Sequence, residues 1–160
     1  MLSIYFLQEI LYKMTKYGVI SDLHLEFRNE TFSKELLKQI NETEMDILLI
    51  AGDIHSDPIL LHKFISQINH KTRWVHGNHA SSDGGAYDNF KGEDGIVSAT
   101  LWSDFWNEKL TMAIAPKLIY DFTKIRNFTP EIAVHMHALH KTGIKESESK
   151  IVMTHFPPST

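Results

Sequence analysis

The chain is 160 residues long, with a net charge of −4 and no cysteine. That length bounds it to one domain with a real core, and the missing cysteine excludes disulfides and thiolate metal sites. The acidic balance and the absence of a basic stripe with interleaved aromatics leave no nucleic-acid footprint, and a reducing, cytoplasmic setting is expected.

The first segment, Met1-Leu2-Ser3-Ile4-Tyr5-Phe6-Leu7, is apolar but short, with Gln8-Glu9 after it. It lacks the basic start and small-residue cleavage site of a secretory signal. It is also below the roughly 20 residues that span a bilayer. Residues 1–13 are therefore expected to be an N-terminal extension, either a start-site artefact or a short amphipathic helix. Met14 then reads as a normal start, and the domain is expected over residues 14–160.

Four apolar runs follow, each ending in polar residues. Tyr17-Gly18-Val19-Ile20 is a short strand that leads into Asp22-Leu23-His24. Thr31–Asn41 reads as a helix, with Phe32, Leu36, Leu37 and Ile40 at helical spacing. Asp46–Ala51 is a continuous apolar strand, as in a covered parallel sheet, and ends at Gly52-Asp53. Asp57-Pro58 opens a second helix, with Asp as cap and Pro at the first position. Thr72–Val75 is a third strand, followed by His76-Gly77-Asn78-His79. Ser81–Gly85 reads as a flexible linker rather than a substrate-side loop. Gly95–Leu101 is expected to be a strand and Ser103–Leu110 a helix, with Trp102, Phe105 and Trp106 as packing residues. Pro130–Thr142 reads as a helix capped by Thr129. Its His135, His137 and His140 are expected on a solvated face, because no carboxylate shares that face at ligand spacing. Lys150–Met153 is the last strand and delivers Thr154-His155. Strand alternating with helix up to Val75 is the pattern of a parallel α/β sheet.

Any one of these polar clusters is an ordinary turn. Four in this order, each at the end of an apolar strand, define a site, since open α/β sheets carry theirs at the carboxyl ends of strands. Carboxylate and imidazole without thiolate suit manganese, iron or zinc. Alternation along an extended chain would let Asp22 and His24 reach one ion together. Asp53 is the candidate bridging carboxylate. Two ions about 3.5–4 Å apart can share a hydroxide nucleophile and neutralise a phosphoryl group. His79, beside Asn78, is placed to protonate the leaving oxygen.

The order Asp-x-His, Gly-Asp, Gly-Asn-His and then His after a strand resembles the calcineurin-like metallophosphoesterase family over residues 17–158, and Ala99–Phe105 is similar to its small bacterial and phage members. The resemblance implies a four-layer α/β/β/α sandwich. It implies Asp22 and His24 as ligands of a first metal, Asp53 as the bridge, and Asn78 and His155 as ligands of a second. It makes His79 the catalytic imidazole, with Asn78 and His79 against the substrate phosphate.

Three departures from the family pattern stand out. The family's closing Gly-His-x-His does not occur before the last residues, Pro157-Pro158-Ser159-Thr160, so the domain is expected to lack its C-terminal part and each metal one imidazole. Ala80 stands where relatives often carry an acidic residue. Ser56 stands where some carry an Asp that orients the imidazole, and Asp57 beside it would need a different loop. His55 and His76 flank the clusters as loop histidines that could line the cleft or stand in for a ligand.

The expected function is metal-dependent hydrolysis of a phosphomonoester or phosphodiester through a dinuclear centre and bridging hydroxide. Manganese is the preferred ion, with iron, zinc, nickel and magnesium as alternatives. The substrate would be a small-molecule or nucleotide phosphoester, with no membrane partner. The rival reading is an inactive remnant that binds metal or phosphate without turnover.

Overall fold

A computed structural model describes residues 14–79 and 90–158. The expectations for residues 1–13 and for the Ser81–Gly85 stretch fall outside the described residues. Two three-stranded sheets organise the chain. In the first, β1 (Tyr17–Ile20), β2 (Ile47–Ala51) and β3 (Lys71–Val75) lie in the order β1-β2-β3, all parallel. In the second, β4 (Phe90–Glu93) pairs antiparallel with β5 (Ile96–Ala99), and β5 pairs parallel with β6 (Ile151–Thr154).

The unbroken apolar run of β2 has a direct cause. Its alternate side chains enter two different cores. Leu48 and Ile50 join Ile40, Leu61 and Phe64 beneath α1 (Glu30–Glu42) and α2 (Pro58–Ile65). Leu49 points the other way and packs with Val75, Ile96 and Met153, so this second cluster draws on both sheets. A third cluster holds Trp102, Phe105, Ile125, Phe128, Ala133 and Met136. It involves α3 (Lys109–Leu118) and α5 (Pro130–Glu146), with the short α4 (Asp121–Lys124) between them. Among the described residues, no helix is long and apolar enough to cross a membrane.

Helix starts follow from local chemistry. Asn29 accepts from the Phe32 backbone N–H at 2.8 Å, and Asp57 Oδ1 accepts from Ile59 at 2.7 Å and Leu60 at 3.2 Å. Thr129 caps α5, with Pro130 at its first position.

Several expectations need correction. The segment before Gly95 is itself a strand. Asp94 and Gly95, both at positive φ, turn β4 into β5, a two-residue hairpin of the kind that Asp-Gly favours. The helix expected at Ser103–Leu110 is a single 3-10 turn at Phe105–Asn107, and α3 begins only at Lys109. Trp106 is 74% exposed, so of the three aromatics there only Trp102 and Phe105 are core residues.

The largest correction concerns α5. His135 is exposed, but His137 and His140 are buried, at 5% and 1% exposure. His140 Nδ1 accepts from the Leu101 N–H at 3.2 Å, and His137 Nδ1 donates to the Trp102 carbonyl. The chain leaving β5 carries backbone polar groups into the core, and these two imidazoles satisfy them.

Candidate metal centre

Beyond β1 and β2 the two chains continue side by side. Asp22 N–H donates to the Gly52 carbonyl at 3.1 Å, His24 N–H to Asp53 at 2.9 Å, and Leu25 N–H to Ile54 at 2.9 Å. The backbone here is not extended. Asp22, His24 and Asp53 have φ of 54°, 46° and 50°, in the left-handed region that non-glycine residues seldom occupy. Asp22 and His24 therefore converge through a coiled turn rather than through strand alternation. Three such residues at one place mark stored strain of order 1–3 kcal/mol each, the kind that gathers at functional sites.

Two glycines let the strand ends close. Gly52, at φ 96°, lies under the His155 ring, where an added Cβ would stand 2.5 Å from Nδ1. Gly77 lies closer still to Asp53, against its Oδ1. Through these approaches all six sequence-selected residues come together. His24 Nε2 is 3.9 Å from Asp22 Oδ1 and 3.8 Å from Asp53 Oδ2. His155 Nε2 is 3.5 Å from the same Asp53 oxygen and 3.0 Å from Asn78 Oδ1. His79 donates its backbone N–H to Asp53 Oδ1 at 3.1 Å, and its ring lies 4.5 Å from that of His24. Burial pushes the Asp53 carboxyl pKa up, against the pull of His155, His79 and His24.

The hydrogen bonds around His155 show what this arrangement can hold. The Ala51 carbonyl, 2.8 Å from Nδ1, can only accept, so Nδ1 carries the proton. In neutral His155 the lone pair is then on Nε2. Asn78 donates through Nδ2 to Asp121 Oδ1 at 2.8 Å, which turns its own acceptor Oδ1 toward that lone pair. Asp53 Oδ2 is a third acceptor at the same point. With His155 neutral and Asp53 ionised, three acceptors face one another and repel unless a cation or a shared proton lies among them. An oxygen and imidazole set of this kind fits a divalent metal ion. On the other side, Asp22, His24 and Asp53 bring one ligand atom each within 4.8 Å of one another, as do His24, Glu26 and His79.

Two further residues shape the site and have no clear sequence signal. Asp121, the first residue of α4, orients the Asn78 amide. Glu26 Oε1 lies 3.4 Å from both His24 Nδ1 and His79 Nδ1. Burial raises the Glu26 pKa, but its own backbone N–H and His24 outweigh this and leave it lowered. Neither flanking histidine joins the ligand cluster, though His55 is close enough to act on the Glu26 carboxylate. His55 Nδ1 accepts from the Asp57 N–H at 2.8 Å. His76 packs edge-on against Trp74, and burial, with Lys91 and His62 nearby, lowers its pKa to about 4.

Comparison with known proteins bears on the fold and the family. A phosphopantetheinyl hydrolase from Mycobacterium tuberculosis has a similar structure, with a TM-score of 0.62 at 17% identity. The alignment covers 89% of this chain and 68% of that one, and at such identity it speaks for the fold. No curated protein sequence matches. The family model described as calcineurin-like phosphoesterase matches residues 15–160, nearly the whole chain, and the protein belongs to that family.

Proposed function

We propose that the protein is a metal-dependent phosphoesterase acting on a phosphomonoester or phosphodiester. The observation that carries this reading is the meeting of His155 Nε2, Asn78 Oδ1 and Asp53 Oδ2, three atoms that can each offer a lone pair to one ion. Asp22 and His24 would hold one ion, Asn78 and His155 a second, and Asp53 both, since its Oδ2 faces an imidazole on either side. Two bound divalent ions supply an activated water and neutralise charge on the phosphoryl group. Manganese suits the ligand set, with iron, zinc, nickel and magnesium as alternatives.

The chain's own residues have separate tasks. Asp53, buried and bonded to the His79 N–H, fixes the distance between the ligands and the catalytic ring. His79 holds a proton for the leaving oxygen, and with Asn78 it meets the phosphate. Its ring is partly exposed, which gives a substrate access to it. The three apolar clusters support a four-layer α/β/β/α arrangement with the site at the carboxyl ends of β1, β2, β3 and β6. A likeness of fold does not transfer a substrate, so the phosphopantetheinyl group of the similar hydrolase is not assigned here.

The test is to measure metal content, then hydrolysis of an aryl phosphate monoester and an aryl phosphate diester with added manganese. Metal uptake with turnover of either ester supports the proposal. Metal uptake with turnover of neither would leave a binding protein in its place.

A further inference from the structure

We propose that Glu26 is the positioning carboxylate of this centre, one group that sets the ring tautomers of both His24 and His79. The inference rests on the phosphoesterase reading above and adds to it a residue the sequence did not single out. Glu26 lies on the 3-10 turn Leu25–Phe27. That turn is anchored by buried Leu25 and by the bonds of His24 and Leu25 to the chain after β2. Its carboxylate is 13% exposed, and Oε1 stands 3.4 Å from each of the two Nδ1 atoms. The two rings meet edge to face at 71° with that oxygen near both. Oε2 is buried with no hydrogen-bond partner among the described residues, so the carboxylate has acceptor capacity to spare beside the rings.

The consequence is chemical. An ionised carboxylate only accepts, so His24 turns an Nδ1–H toward it in a hydrogen bond, and His79, whose Nδ1 lies at the same distance, is favoured to do likewise. The lone pair of neutral His24 is then on Nε2, the atom that faces Asp22 and Asp53. For His79 the same constraint leaves Nε2 as the nitrogen that meets the substrate, where the ring must take up a second proton before passing it to the leaving oxygen. A carboxylate behind an imidazole fixes tautomer and ring orientation and raises basicity. Here one carboxylate does this for a ligand and for the proton donor at once, which couples their orientations.

Other nearby side chains are committed elsewhere. Asp57 caps α2 through Oδ1, and Ser56 has no carboxylate. Asp53 Oδ1 takes the backbone N–H of His79, and Asp121 holds Asn78.

The experiment has two arms on the full chain. In the first, long-range nitrogen–proton spectra of the metal-free protein read the tautomers of His24 and His79. Both are expected as Nδ1–H in the wild type. Both are expected to shift toward Nε2–H in Glu26→Ala, with a smaller shift in Glu26→Gln, whose amide oxygen still accepts. In the second, at saturating manganese, Glu26→Ala should keep its metal stoichiometry while kcat for an aryl phosphate falls on the order of 10–100-fold. KM should change little, and Glu26→Gln should recover part of the loss. Tautomers unmoved by Glu26→Ala would overturn the proposal. So would loss of a whole equivalent of manganese at saturation, because Glu26 would then be a ligand. Should Glu26→Ala fail to fold, the near-isosteric Glu26→Gln decides by the same two readouts. A wild type that hydrolyses no ester would remove the phosphoesterase reading, and the tautomer arm would still decide what Glu26 does.

Discussion

Gly77 lies against Asp53 so closely that a Cβ added to the glycine would stand 2.5 Å from the carboxylate carbon and 2.7 Å from the Asp53 backbone nitrogen. No side chain fits there without moving the buried acid, so Gly77→Ala should lower metal content and turnover together. The overpacking should also cost about 1–3 kcal/mol of stability. Gly92, with open space around it, is the control, and Gly92→Ala should stay within about 0.5 kcal/mol of the wild type. Thermal melts and metal analysis of the two variants check the contrast.

Ligand and proton donor separate by their effect on metal. Asp53→Asn should reduce metal content and activity in parallel. His79→Ala should leave metal content near normal while turnover falls on the order of 10²–10⁴-fold, the usual range for a lost acid–base group. Equal metal loss in both variants would make His79 a ligand.

Asp121 acts through Asn78. Its carboxylate holds Nδ2 at 2.8 Å and so keeps Oδ1 turned to His155. Asp121→Ala frees the amide to turn over, and manganese affinity should drop about 10–100-fold. Asp121→Asn retains an oxygen acceptor and should fall between. Titration calorimetry with manganese reads both.

Ion binding should also appear as stability. Manganese at about 100 times its dissociation constant should add about 2.7 kcal/mol, and a chelator should remove that increment. The shift in melting temperature should shrink strongly in Asp53→Asn. A melting temperature that ignores both manganese and chelator in the wild type would speak against the centre.

The buried histidines of α5 are structural. His140→Leu removes the acceptor of the Leu101 N–H and strands a buried donor, at a cost of about 1–3 kcal/mol. Urea unfolding should show this as a lower midpoint with an unchanged slope. Metal content should not change.

The sequence by itself was enough for what is local. Apolar runs marked β1, β2, β3 and β6 to within about a residue of their observed bounds. Asp57-Pro58 and Thr129-Pro130 marked helix starts, because a cap needs only its own next turn. The polar clusters after those strands were visible for the same reason, and their order carried the family. Asp94-Gly95 is likewise a local signal, since a two-residue hairpin needs only its own turn residues. Tertiary structure decided the rest. His137 and His140 are buried because α5 packs against the chain leaving β5, a contact between segments more than 30 residues apart that no helical periodicity announces. Asp22 and His24 converge through left-handed turns, held by backbone bonds to Gly52 and Asp53 that exist only once β1 and β2 are paired. Glu26 reaches His79, and Asp121 reaches Asn78, across 53 and 43 positions. Residue type shows which side chains can donate or accept, but packing at long sequence separation sets which atoms meet.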